Sequence, residues 1–523
     1  MRRLSILLTV LFAIALFFDA GSMSACGGTS SKSGFGSSGG SGGSGGGSGS
    51  SSGITSFGDG GYSSSGGSGD GGVVCPAGLQ CNVQCNGGGS TTISGTVYDP
   101  AARNPLYNVA VYVPAAPLEP LPKGVLTGAD ACSCSALFKS GAVVSTSTKV
   151  DGTFVLENAP VGSAVPLVVQ VGKWRKVYTI DVQPCTANAQ SQKLLMPNSV
   201  APNSDDNMPD IAVSTGSADT LECLMTRIGL PPTEYVAGTG TTGHVHVYSG
   251  GNPNGGIGGS PEAPAMPGAP ESDTNLWPDQ AHLMPYDILL LSCEGDETYN
   301  ANPQALEAYL NAGGRAFASH FHYAWFAGPL TSGQTYTTNA DWGTNLATWA
   351  GDEVDPDGPI GGTIIQTLNG STQPFPKGVI LDQWLGLVGA LGKNIPVATD
   401  LSIYSPRYNA GVTAANVHSQ PWIQGDPAAS GPAKATEYFS FDTPVDAPNA
   451  PDGGPPTYCG RAVFSDLHVA GDPTTTDNPP PPGGCDNGPL SPQEKALEFM
   501  LFDLSSCVIP DTVAPPDGGT IIQ

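Results

Sequence analysis

Cationic side chains are scarce in this chain. Its 523 residues include 19 Lys and Arg against 45 Asp and Glu, a formal net charge of −26. Recognition of a phosphate backbone needs clustered Lys and Arg, so nucleic-acid binding is excluded as a function class. Charged residues of both signs reach only 12%, about half of what an average soluble domain carries. Histidine is also rare, with seven in all and none before His244. Neither Cys75-x5-Cys81-x3-Cys85 nor Cys132-x-Cys134 has a zinc-ribbon spacing, which argues against zinc in the N-terminal part. Long apolar runs are missing too. The longest, Leu4 to Phe18, falls short of the roughly 20 residues a membrane-spanning helix needs.

What is present begins with an address. Arg2 and Arg3 precede that apolar run, and Met23-Ser24-Ala25-Cys26 follows it, the layout of an export signal over residues 1–25. Small residues before a cysteine resemble the lipobox of bacterial lipoproteins, with Met23 where leucine is usual. The resemblance implies lipidation of Cys26, a membrane anchor, and, since residue 27 is not aspartate, an outer-membrane lipoprotein facing the periplasm or the exterior. An ordinary cleaved secretory signal is the plainer alternative. Residues 27–72 are almost wholly Gly and Ser, too polar to offset their ordering entropy. As a flexible coil this tether would reach about 35–40 Å.

Of twelve cysteines, eleven remain besides Cys26: Cys75, Cys81, Cys85, Cys132, Cys134, Cys185, Cys223, Cys293, Cys459, Cys485 and Cys507. In an oxidising compartment they read as a disulfide framework beginning in a Cys-rich segment, 73–90. The odd total leaves one thiol over or one bond to another chain. Cys293 is expected in a disulfide, with Cys223 as one partner to consider.

Residues 91–185 carry strand signals. Val109, Val111 and Val113 alternate with Ala110 and Tyr112, and Leu167, Val169 and Val171 alternate likewise, which puts each set on one buried face. Asp151-Gly152 reads as a hairpin turn. The blocks Ile93-Ser94-Gly95-Thr96-Val97, Asn108-Val109-Ala110-Val111 and Asp151-Gly152-Thr153-Phe154 resemble the carboxypeptidase regulatory-like domains. That resemblance implies a small all-β sandwich, transthyretin- or immunoglobulin-like, that supports or binds and does not catalyse. Residues 115–140 read as an inserted loop pinned by Cys132 or Cys134.

After a linker, 186–206, the pattern changes over 207–510, before a tail, 511–523. Asp210–Val213, His244–Tyr248, Tyr286–Leu291, Arg315–His320 and Gly460–Ser465 read as strands. A helical stripe of Leu221, Leu224, Met225 and Ile228 follows the first of them. Asn302-Pro303 and Ser491-Pro492-Gln493-Glu494 read as helix starts. Alternating strands and helices predict an α/β domain with a mostly parallel sheet. The segments "YDILLL", "YLNAGGRAFASHFH" and "GRAVFSDLHVAG" resemble the trehalose-utilisation (ThuA-like) branch of the class I glutamine-amidotransferase-like fold. This implies a flavodoxin-like sheet and a link to carbohydrates, with His320 and His468 at the two histidine positions.

Ligands of open parallel sheets bind at the carboxyl ends of strands. His320 and His322 lie at one such end and Asp466 and His468 at another, so these four are the candidate catalytic residues. Read as extended chain, His320 and His322 point to one side. His320, His322 and His468 could hold a divalent metal. Tyr323, Trp325 and Trp342 are candidate sugar-stacking rings, with a mini-core as the bland alternative. No cysteine stands on the Ala318-Ser319-His320 turn and there is no G-x-S-x-G, so glutaminase and serine-hydrolase elbows are absent. Glu353, Asp355 and Asp357 imitate a calcium loop, but Ile364 stands where an acid is required. Val213–Ala218 is similar to the flavodoxin phosphate loop without its outer threonines, and capping by Ser217 or Asp219 accounts for it better. The leading expectation is an envelope lipoprotein that binds a saccharide or another polar ligand. The alternatives are a metal-assisted enzyme acting on glycans and a structural protein with a degenerate site.

Overall fold

The computed structural model describes residues 75–254, 263–351, 359–425, 435–449, 456–471 and 477–515. The export signal, Cys26, the tether and the Glu353–Asp357 segment lie outside the described residues. Among the described residues no helix is long and apolar enough to cross a membrane.

The chain is β-rich. Eight strands come first: β1 Thr92–Tyr98, β2 Ala110–Pro114, β3 Ala142–Ser147, β4 Thr153–Leu156, β5 Gly162–Val171, β6 Trp174–Val182, β7 Ala187–Ala189 and β8 Leu194–Leu195. They form two four-stranded sheets, one with β1 paired to β4, β7 and β8, the other ordered β3-β2-β5-β6. The expected turn at Asp151-Gly152 is present, with Gly152 at φ +73°. It does not close a hairpin, however, because β3 and β4 belong to different sheets. The Gly152 carbonyl accepts a 2.9 Å bond from the Val97 N–H, which hands the chain over to β1. Val109, Val111 and Val113 enter the main core beside Ile93, Phe154 and Leu167, as their alternation predicts. Their neighbours Ala110 and Tyr112 are buried as well, in a small second core with Phe138 and Val168. Phe138 belongs to the inserted 115–140 segment, which is pinned twice, by Cys132–Cys459 and Cys134–Cys507.

Twelve further strands follow: β9 Ile211–Ser214, β10 Tyr235–Ala237, β11 Val245–Tyr248, β12 Ile288–Leu291, β13 Arg315–Ser319, β14 Thr348–Trp349, β15 Ile360–Ile364, β16 Leu401–Ile403, β17 Ala410–Gly411, β18 Ser419–Gly425, β19 Thr436–Thr443 and β20 Gly460–Ser465. Ten of them build one sheet in the order β10-β11-β9-β12-β13-β20-β19-β18-β15-β16. The first six run parallel, and every pairing from β20 to β16 is antiparallel. The sheet is therefore mixed, with a long antiparallel extension that the expectation of a mostly parallel sheet missed. Helices feed the parallel half. Asn302 caps Pro303–Asn311 by accepting from the Ala305 N–H, and Ser491 and Glu494 form the expected capping box on Pro492–Ser505.

That last helix packs back onto the first region. Phe502 lies 5.7 Å from Trp174 between ring centroids, and Phe499 stacks on Tyr107 at 5.0 Å. Trp384 donates from Nε1 to the Pro105 carbonyl at 2.7 Å. Burial of side chains this large excludes water from the join.

Candidate functional site

Parallel strands deliver their carboxyl ends to one rim. At this rim β12 continues into Ser292-Cys293-Glu294, β13 into His320, and β20 into Asp466-Leu467-His468. His320 adopts a left-handed backbone, φ +46°, rare for a non-glycine residue and concentrated at functional turns. The chain reverses there into a single 3-10 turn, His320–His322, and then a short helix, Tyr323–Ala327.

That turn places three side chains together. The Cys293 thiol lies 3.2 Å from His320 Nδ1, and His468 Nε2 lies 2.9 Å from the same nitrogen. Arg407 Nη2 stands 3.2 Å behind, against His468 Nδ1. Cys293 and His320 are buried, while His468 and Arg407 keep partial exposure. Burial pushes the Cys293 thiol well up, opposed by the backbone N–H groups of Phe321 and Gly295. Among the described residues the Cys, His, Asp and Glu atoms able to surround one ion are those of Cys293, His320 and His468, all within 4.8 Å of one another.

His322 is not part of this group. Its predicted alignment with His320 assumed extended chain, but a 3-10 turn rotates successive residues by about 120°. Its Nδ1 donates to the Ser319 carbonyl at 3.1 Å, and its Nε2 faces Glu294 Oε1 at 3.9 Å, beyond hydrogen-bond range. Burial pulls His322 down to about 3 and pushes Glu294 up to about 8, so both are neutral near pH 7. Asp466 works elsewhere: its Oδ2 accepts from the Ala410 N–H at 2.7 Å and holds the 407–410 segment against β20.

Asp219 organises the rim, a larger part than the helix capping expected of it. One carboxylate accepts from Ser319 Oγ at 2.7 Å and from the Val469 and Ala470 N–H groups at 2.9 Å each. It thereby ties the turn after β9 to the segments bearing His320 and His468. The helix Leu221–Arg227 has Thr220 as its cap residue, with no side-chain capping bond. The phosphate-loop look-alike is spoken for as well: the Ala218 N–H donates to the Cys293 carbonyl at 3.1 Å, and Ser217 donates to the Glu294 carbonyl. A Cβ on Gly216 would meet the Cys293 oxygen at 2.2 Å, so only glycine allows the loop this close.

Two expectations need correcting. Tyr323, Trp325 and Trp342 are at most 1% exposed and present no open face for a sugar. Trp325 packs edge-on to Trp277 at 5.2 Å and donates to Thr298 Oγ1 at 2.9 Å. Tyr323 donates to Glu297 at 2.6 Å, and Trp342 packs on Phe326 and Phe441. They are the mini-core. Cys293 is not disulfide-bonded either. Among the described residues the bonds are Cys75–Cys81, Cys85–Cys185, Cys132–Cys459, Cys134–Cys507 and Cys223–Cys485, which leaves Cys293 as the free, buried thiol there. The odd count of cysteines was the signal for it. His244 and His246 are packed, against Glu234 at 2.6 Å and the Gly238 carbonyl at 2.7 Å.

No protein-family model, curated protein or solved structure matches this chain.

Proposed function

We propose that this is an exported lipoprotein of the cell envelope, anchored through Cys26, that binds a saccharide or another polar envelope ligand at the parallel-sheet rim. In this reading the N-terminal sheets are a transthyretin-like sandwich serving as a spacer, and the parallel half of the large sheet is a flavodoxin-like domain. One observation carries the ligand site. Two chain segments 148 residues apart bring His320 and His468 into contact at 2.9 Å, with Arg407 beside them. On a chain with net charge −26, a partly exposed Arg–His pair is an uncommon donor surface, suited to hydroxyl and carboxylate oxygens. The five disulfides support an oxidising compartment.

The test is a glycan array probed with the full chain, alongside Arg407→Ala and His468→Ala. Selective glycan binding, weakened at least tenfold in both variants, is expected. An array blank for the folded wild type removes the ligand assignment. Incorporation of labelled palmitate, lost in Cys26→Ser, tests the anchor separately.

A further inference from the structure

We propose that Cys293, His320 and His468 form a binding site for a borderline divalent transition metal of the zinc class. The inference goes beyond ligand binding at this rim, and metal occupancy can be measured with no saccharide present.

The donor set is the first argument. One thiol and two imidazoles suit zinc, cobalt or copper and do not suit calcium or magnesium, which take oxygen. Spacing is the second. An ion bonded to nitrogen at about 2.0–2.1 Å and to sulfur at about 2.3 Å holds its ligand atoms about 3–4 Å apart. Here the sulfur lies 3.2 Å and the His468 nitrogen 2.9 Å from His320 Nδ1, so the two shorter edges need little adjustment.

Rigidity is the third argument. Each ligand follows a different parallel strand, and Asp219 binds the segments bearing two of them together. The Cys293 carbonyl is itself clasped by the Ala218 N–H at 3.1 Å. Binding displaces the thiol proton to solvent; no electron is transferred. Three protein ligands would leave a fourth coordination position for a water or another ligand.

Arg407 sets a condition. When His468 Nε2 gives its lone pair to an ion, Nδ1 carries the ring proton, and Arg407 Nη2, now 3.2 Å away, must withdraw. Arg407→Leu should therefore bind metal more tightly than the wild type.

The experiment uses the full chain, purified without a histidine tag. It measures metal content by mass spectrometry and the absorption of the chelated, cobalt-reloaded protein. Expected are about one equivalent of metal and a sulfur-to-cobalt charge-transfer band in the near ultraviolet. Cys293→Ser should abolish the band, and His468→Ala should weaken binding by more than the roughly 10–100-fold lost when an outer-shell partner is removed. His322→Ala should keep both. If Cys293→Ser does not fold, His468→Ala carries the test together with thiol titration, in which metal should shield Cys293, the one free thiol among the described residues. Wild type that retains no metal and takes up cobalt without a sulfur band overturns the site. Glycan binding by such a metal-free chain would leave the ligand reading standing, while metal uptake without glycan binding would uphold the site alone.

Discussion

The two halves of the ten-stranded sheet are made of similar material and do different things. From β10 to β20 the strands run one way, so β9, β12, β13 and β20 finish at one rim and leave polar groups there. Asp219, Cys293, Glu294, His320 and His468 all sit beyond those ends. From β20 to β16 the strands alternate, so consecutive ends fall on opposite rims, and among the described residues no Cys–His cluster like that of the parallel half forms there. That half is spent on bulk: Trp422 is fully buried, packs edge-on to Phe375 at 4.7 Å and donates to Ser440 at 2.8 Å. Strand direction, more than composition, separates the half that gathers polar groups at one rim from the half that does not.

The comparison can be broken most forcefully through the cross-links. Cys132–Cys459 and Cys134–Cys507 close separations of 327 and 373 residues, and losing such a bond costs about 2–5 kcal/mol. The double variant Cys132→Ser/Cys134→Ser should therefore lose about 5 kcal/mol or more in chemical denaturation and weaken both halves together. Next in size is Asp219→Ala, which strands buried N–H and hydroxyl donors around a missing carboxylate. It should cost about 3–5 kcal/mol and loosen the His320–His468 contact, read as faster amide exchange at Val469 and Ala470. Trp422→Ala should cost a similar 3–5 kcal/mol by opening a cavity yet leave the rim exchange unchanged at temperatures where the variant is folded. If Trp422→Ala disturbs the rim as much as Asp219→Ala does, the division between the halves is wrong.

Much of the parallel half was legible because it obeys simple periodicities. Leu221, Leu224 and Met225 mark a helical face, "ILLL" is apolar on both faces, and the capping residues Asn302 and Ser491 stand where they should. The antiparallel half offered no such handle. β15 reads IGGTI and β18 reads SQPWIQG, with glycine and proline in positions that usually argue against a strand. At the site, the convergence of His320 and His468 follows from strand order, and the sequence reading reached it. The place of Cys293 depended on which cysteines pair, and eleven of them allow too many pairings to choose from. The buried rings failed for another reason. Trp and Tyr side chains suit a sugar face and a protein core equally well, and only burial tells them apart.

A smaller effect would sharpen the electrostatic side of the comparison. Burial pushes Glu222 from its ordinary 4.5 up to about 8, although its carboxylate accepts from Ser292 at 2.9 Å. The folded chain therefore keeps a proton that the unfolded chain releases. Its stabilising contribution is whole below about pH 4.5 and is lost as pH rises through about 8. Glu222→Gln should flatten the alkaline decline by roughly 1–2 kcal/mol, measured as melting temperature between pH 5 and pH 9. An unchanged slope would show that Glu222 already ionises freely in the folded protein.

The staples at Cys132 and Cys134 also bear on what a break in the chain would do. A single peptide cut anywhere between Cys134 and Cys459 leaves two pieces still joined through sulfur. A nicked molecule would thus run as one species until a reductant is added, and it would keep its two regions on the same particle. Severing the chain there is not the same as losing it.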